Sequence, residues 1–155
     1  MAGSLYLADT NILIRLVKRD HPEYPLVRGA INTLKENGVG LGYTLQNMAE
    51  FWNASTRPKE RNGFGLTVEE TENNAQEIER IFIPLADNEA IYHRWRTIVV
   101  KHRVSGIQVH DARLAAAMYV HSITHILTFN GSDFSRFEGL TAIHPSQIAP
   151  NKVNP

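Results

Sequence analysis

Residues 5–16, Leu-Tyr-Leu-Ala-Asp-Thr-Asn-Ile-Leu-Ile-Arg-Leu, run apolar, stop at Asp9-Thr10-Asn11 and turn apolar again. Short apolar or β-rich runs at Leu5–Ala8, Val39–Thr44, Phe82–Ala86, His125–Phe129 and Leu140–Ile143 predict strands, each with a turn signal or charge break nearby. Longer patterns lie between them. Tyr24–Asn37 carries Leu26, Ala30, Ile31 and Leu34 at helical spacing, and Gly38 follows in a C-cap position. Thr67-Val68-Glu69-Glu70 fits a capping box ahead of Ala75, Ile78 and Ile81 on one face. Asp87 is expected to cap a helix over Asn88–His102, and Asp111 to open the alanine-rich Ala112–His121.

Strands separated by helices of this length imply crossover connections, hence a parallel sheet covered on both faces. At 155 residues the chain suits a single domain, expected over residues 1–146, with a Pro- and Asn-rich flexible tail over 147–155. In such α/β sheets ligands collect beyond the carboxyl ends of the strands. The one substantial loop, residues 55–65, holds Arg57, Lys59 and Arg61 beside two glycines.

Charge narrows the function classes without choosing among them. Lys+Arg and Asp+Glu are equal at 16 each, so no whole-chain positive field draws in a polyanion. Binding one needs a local basic patch or a bridging metal. There is no cysteine, which excludes disulfides and thiolate metal sites. The first residues lack the basic-then-apolar layout of a leader, and no apolar run reaches the ~18 residues of a membrane span. A cytoplasmic protein with no membrane partner is the expectation.

Four acidic residues fall at element ends facing that same sheet edge. Asp9 ends the first predicted strand, and Glu50 lies one to two helical turns past the second. Asp111 opens the helix leading into the fourth strand, and Asp133 follows that strand's end. Each has a bland reading. Asp at a helix start is a common cap worth about 1 kcal/mol, Glu is a good helix former, and Asp in a Gly-Ser turn is ordinary turn chemistry. Gathered, however, they repel: two unit charges ~4 Å apart cost about 4 kcal/mol at an effective dielectric of 20. Three or four carboxylates need a counter-charge, and hard oxygen ligands without thiolates suit Mg²⁺ or Mn²⁺. Such ions serve phosphate-ester hydrolysis.

The stretches Ala8–Leu16 (ADTNILIRL), Asn47–Asn53 (NMAEFWN), Val109–Met118 (VHDARLAAAM) and Leu127–Phe137 (LTFNGSDFSRF) resemble the four motifs of PIN-domain ribonucleases, in that family's order and over nearly the whole chain. The nearest subgroup is the VapC-type toxins of toxin–antitoxin pairs. The resemblance implies a three-layer α/β/α sandwich on a five-stranded parallel sheet of order 3-2-1-4-5. It makes Asp9, Glu50, Asp111 and Asp133 the acidic cluster that holds the metal, and it gives Thr10, Asn11, Thr128 and Asn130 the role of orienting that cluster by hydrogen bonds. It further implies an RNA substrate, an antitoxin protein partner and a homodimer; with water rather than the ribose 2′-hydroxyl as nucleophile, the expected products carry a 5′-phosphate and a 3′-hydroxyl. The aromatic-bearing helices around Phe51–Trp52 and Ile91–Trp95 are expected to supply apolar surface for such assembly. Arg57, Lys59 and Arg61 are candidates for holding RNA phosphates.

Two alternatives stand beside this. A non-catalytic PIN-like scaffold would cut no RNA with any metal. A haloacid-dehalogenase-like phosphatase also ends its first strand in Asp, but it wants a second Asp two residues on, where Asn11 stands, and no lysine occupies a matching later motif. The seven histidines are scattered without metal spacing; His110, beside Asp111, reads as a half-exposed residue at a helix start.

Overall fold

The computed structural model describes residues 4–148 and Pro150. The elements in chain order are β1 (Leu5–Ala8), α1 (Thr10–Val17), α2 (Tyr24–Glu36), β2 (Gly40–Thr44), α3 (Leu45–Thr56), α4 (Val68–Ile81), β3 (Ile83–Leu85), α5 (Glu89–Lys101), α6 (Val109–Val120), β4 (His125–Leu127) and β5 (Thr141–Ile143). The strands form one parallel sheet in the order β3-β2-β1-β4-β5, as the resemblance implied. Proline can sit in such a sheet only where no ladder donor is needed, and Pro84 lies in β3, an edge strand.

Side chains alternate across the pleat, and here both faces are apolar. Leu5, Leu7 and Ile126 pack against α5 and α6, through Ile91, Ile98 and the alanines 112, 115, 116 and 117. Tyr6, Ala8 and Leu127 face the other way, onto Ile12, Leu13 and Leu16 of α1, Val27 and Ile31 of α2, Phe51 of α3 and Ile78 of α4. The result is the expected three-layer sandwich. Gly42, paired with Leu7 and Ile83, keeps one face of β2 thin: a Cβ there would lie 3.0 Å from Leu85. Gly38 ends α2 at φ +79°, a conformation that costs glycine little, and Val39 N–H then returns to Leu34 O at 2.8 Å.

Several boundaries differ from the sequence expectation, each for a local reason. Val39 and Phe82 are excluded from β2 and β3 because their N–H groups close the preceding helices, on Leu34 O and Ile78 O. The fourth strand stops at Leu127, since Phe129 N–H turns to the side chain of Asn11 (3.3 Å). Asn88, not Asp87, caps α5: its extended backbone lets its side chain accept from Ile91 N at 3.1 Å, while Asp87 accepts from Arg113 at 2.7 Å. Asp111 does not cap α6. A single 3₁₀ turn at Gly106–Gln108 feeds straight into the helix, which starts at Val109 with no side-chain cap, and Asp111 sits third in its first turn. Of the segment 147–155, Gln147 ends a 3₁₀ turn and Ile148 packs on the α1–α4 side of the core. The rest of that segment, Pro150 aside, lies outside the described residues.

Candidate active site

At the carboxyl edge the chain leaves β1 at Asp9, which is only 7% exposed. Its backbone is extended and starts α1, whose buried Ile12, Leu13 and Leu16 hold the helix against the sheet. Oδ1 accepts from Thr10 N (2.8 Å), so Asp9 does serve as a cap. Oδ2 serves another purpose: it accepts from Thr128 Oγ1 across 119 residues at 2.7 Å, with Asn11 Nδ2 at 3.5 Å. Asn11 also donates to Thr128 Oγ1 (3.4 Å) and accepts from Phe129 N, while Asn130 N donates to Thr128 Oγ1 (2.9 Å). Asn11, where the phosphatase reading wants a second acid, is thus a brace between β1 and β4.

Glu50 is held from two sides. Thr10 Oγ1 donates to its Oε2 at 2.8 Å, and Gln46 Nε2, one turn earlier on α3, donates to its Oε1 at 2.7 Å. Thr10 Oγ1 in turn accepts from Asn47 Nδ2 (3.1 Å), and Asn47, fully buried, forms a reciprocal capping box with Thr44 at the start of α3. Gln46 Nε2 also reaches His110 O (2.8 Å), tying α3 to the first turn of α6. Its own Oε1 is buried and finds no partner among the described residues, an orphaned acceptor of the kind that proteins satisfy with water or a ligand.

Asp111 and Asp133 line a common small cleft of about 50 Å³, with Ser132 and Arg136 at its rim. Asp133 is placed there by a 3₁₀ turn at Gly131–Phe134 anchored by the buried Phe134. Burial pushes the Asp111 carboxyl up to about 6, and Asp133, Asp9 and Glu50 push in the same direction, against a small opposing pull from His110. Burial likewise raises Asp9, opposed by its bonds from Thr128 and Thr10 and reinforced by Glu50 and Asp133. Among the described residues no lysine or arginine acts on either group. Asp9 and Asp111 thus feel Glu50 and Asp133 as acidic neighbours, with His110 the only opposing charge among those residues, at Asp111.

All eight predicted cluster and bracing residues come to this edge. Among the described residues, however, no three His, Asp or Glu side chains stand together in metal-ligand geometry. The basic loop is less open than its sequence suggests. Arg57 NH2 donates to Asn62 O (3.1 Å) and Gly65 N returns to Arg57 O, so Arg57 braces the loop, while Lys59 and Arg61 are exposed. Gln46, Asn47 and Arg136 were not singled out from the sequence. Only the adjacency of Gln46 and Asn47 to Glu50 hinted at them, whereas Arg136, bonded to Gln108 Oε1 (2.7 Å), left no signal.

A family model for the PIN domain matches residues 6–140, spanning all four acids. The chain is a PIN domain. Solved structures share the fold. Against VapBC from Salmonella typhimurium bound to DNA, the TM-score is 0.68 at 14% identity, covering 92% of this chain and 98% of that one. Against VapBC2 from Rickettsia felis, bound to a DNA fragment from its promoter, it is 0.67 at 14% identity, covering 90% and 98%. Against Mycobacterium tuberculosis VapC20, a toxin that cleaves the sarcin-ricin loop, it is 0.63 at 13% identity, covering 86% and 95%. No curated protein sequence matches the chain. PIN domains are generally nucleases, and among the described residues no helix is long and apolar enough to cross a membrane.

The donor set of this PIN domain fits a hard divalent cation. All four side chains offer oxygen, their acidic neighbours raise Asp9 and Asp111, and Gln46, which donates to Glu50, keeps a buried Oε1 without a partner among the described residues.

Proposed function

We propose that this PIN domain is a Mg²⁺- or Mn²⁺-dependent endoribonuclease, acting in the cytoplasm as the toxin of a toxin–antitoxin pair. The observation that carries the reading is the gathering of four acids at one sheet edge. There Asp9 and Asp111 are raised by burial and by their acidic neighbours, with no lysine or arginine among the described residues to answer them. Carboxylates that repel in this way are relieved by a bound cation. Asp9, Asp111 and Asp133 would hold the ion, and Glu50 would hold it or orient the attacking water. A bound divalent ion polarises the phosphoryl oxygen and acidifies water. The chain's own part is positional. Thr128 and Asn11 fix Asp9, and Thr10 with Gln46 fixes both oxygens of Glu50, leaving its remaining lone pairs to accept a proton from water in line with the scissile phosphorus. Because water rather than the ribose 2′-hydroxyl is the nucleophile in this reading, the products carry a 5′-phosphate and a 3′-hydroxyl.

The antitoxin reading is supported by the solved complexes that share the fold. A groove of about 280 Å³ lined by Ile14, Val17, Phe64 and Leu66, with Lys18 stacked over the Phe64 ring at 4.1 Å, suits an apolar helix from such a partner. A homodimer is also part of the proposal; within the two helices expected to supply apolar surface, Tyr92 is exposed and Trp52 and Trp95 are half-buried. Phe51 and Ile91 are buried in the core, whereas Leu45, Val68, Tyr92, Val100 and Ile107 are among the exposed apolar residues. The test is incubation of the purified protein with structured and unstructured RNAs in Mg²⁺, Mn²⁺ or EDTA, with end-group analysis. Chelator-sensitive cleavage leaving 5′-phosphates supports the reading. Cleavage that survives chelation refutes the metal mechanism, and no cleavage of any RNA leaves a non-catalytic scaffold.

A further inference from the structure

We propose that the cavity between α5 and the start of α6 receives one unpaired RNA base beside the scissile phosphate, a specificity pocket that rests on the ribonuclease reading. The cavity measures about 450 Å³, within the size range of small-ligand sites. Tyr92 and Trp95 line it from α5, and His110 and Arg113 from α6; Asp87, just past the end of β3, completes the rim. Trp95 is locked, because its indole N–H donates to Val109 O at 2.9 Å. Tyr92 is braced through its hydroxyl by Arg96 (2.9 Å), yet it is 49% exposed. The two rings sit 6.4 Å apart at 44°, flared open rather than stacked on each other.

The chemistry of the rim selects the occupant. Arg113 is matched by Asp87 at 2.7 Å, so its charge is already answered and a phosphate gains little there. The same pair presents donors and an acceptor side by side, which an apolar side chain would leave unsatisfied and a base edge can use. Unpaired bases are read in this way, by stacking on aromatic rings and hydrogen bonding at the edge. Position supports it further. His110 lines the cavity, its carbonyl is held by the Gln46 amide that holds Glu50, and the next residue is Asp111. The cavity and the acidic edge thus adjoin at the first turn of α6, through His110 and Asp111.

The experiment uses the full chain carrying Trp52→Phe, which leaves Trp95 as the sole indole. The probe is the RNA hexamer ACGUAC, unmodified or with one abasic ribose at each position in turn, titrated in Ca²⁺ while Trp95 fluorescence is followed. The expected result is saturable quenching that one abasic position weakens by about tenfold, the scale of a lost base stack. Tyr92→Ala should weaken it similarly, and the control Thr97→Ala, exposed elsewhere on α5, should not. Absence of quenching, indifference to every abasic position, or Tyr92→Ala binding as tightly as its parent overturns the pocket. Fluorescence that changes on concentrating the protein without RNA assigns the cavity to a second copy and also overturns it. Cleavage assays in Mn²⁺ on the same proteins separate the two readings. Cleavage with no Tyr92 or abasic effect sinks the pocket and spares the ribonuclease, whereas base-dependent quenching without cleavage does the reverse.

Discussion

Replacing Asp111 by asparagine tests whether the acidic edge is a strained charge cluster or a set of helix ends. Asparagine keeps the shape and, third in the first turn of α6, makes no cap to lose. What changes is charge. A carboxyl raised from 3.8 to about 6 is a group whose ionised form the fold disfavours. Two units correspond to about 3 kcal/mol, but Asp111 is half-buried and solvent screening reduces that to about 1.5. Against this, a carboxylate in a helix's first turn gains about 0.5 kcal/mol from the dipole, which the amide forgoes. The net is about 1 kcal/mol in favour of the uncharged variant at neutral pH, or roughly 2–4 °C in melting temperature for a chain of this size.

The sign with pH is fixed by the same shift. Below the ordinary value of 3.8 the side chain is protonated folded and unfolded, and contributes nothing. Between about 4 and 6 the unfolded chain releases the proton while the folded one retains it, so wild-type stability falls as pH rises, and above about 6 the full penalty is present. Melting curves in EDTA at pH 7.5 should therefore place D111N above wild type, with the gap closing near pH 4. Saturating Mg²⁺ should invert the order at pH 7.5, because a ligand at 100 times its dissociation constant adds about 2.7 kcal/mol to the protein that binds it. Equal melting at both pH values, with equal responses to Mg²⁺, would refute the cluster at its most perturbed residue.

Thr10→Val should destabilise by about 1–3 kcal/mol, since it strips a bond from Glu50 and leaves the buried Asn47 amide unpaired, and Thr10→Ser should restore most of it in chemical denaturation. Gln46→Leu should weaken Mn²⁺ binding, read by calorimetry, because Glu50 loses its second restraint, while the orphaned Oε1 it removes offsets part of the stability loss. Asn88→Ala should cost about 1 kcal/mol as a lost cap, and Asp87→Asn less, since it only weakens a partly exposed ion pair with Arg113. The reverse ranking in urea melts would restore Asp87 as the cap.

The doubly covered parallel sheet was legible because each local signal had one global solution, whereas the strand order was implied by the family resemblance. Apolar runs of strand length between amphipathic helices leave little choice but a doubly covered parallel sheet, and Gly38 and the Thr67 box mark their helix ends by backbone chemistry alone. The misplaced boundaries share a cause. Asp87 and Asn88 are both good caps by residue type, and the choice fell to Asn88 because Arg113, 26 residues away, engages Asp87. Asp111 looks like a helix opener until the 3₁₀ turn before it supplies the nucleus. Contacts made at a distance decide between locally equal options.

The site follows the same division. Asp9, Asp111 and Asp133 announced themselves near an element's end and Glu50 by standing among apolar residues inside α3, because a charge beside buried apolar runs is visible in one dimension. What holds the acids is not. Thr128 reaches Asp9 over 119 residues, Thr10 reaches Glu50 over 40, and Gln46 reaches the His110 carbonyl over 64. Thr10 and Thr128 were named only through the family motifs, whereas Gln46 was not named; its Nε2 spans Glu50 and the His110 carbonyl, and its Oε1 is buried without a partner among the described residues. A fold selected only for stability would fill that acceptor and neutralise one of the acids with a nearby arginine; Arg136 stands at the rim of the Asp111–Asp133 cleft but is turned onto Gln108 instead. Among the described residues no lysine or arginine bears on Asp9 or Asp111 at this edge, an arrangement that the proposed cation-dependent site would use and a merely structural one has no reason to keep.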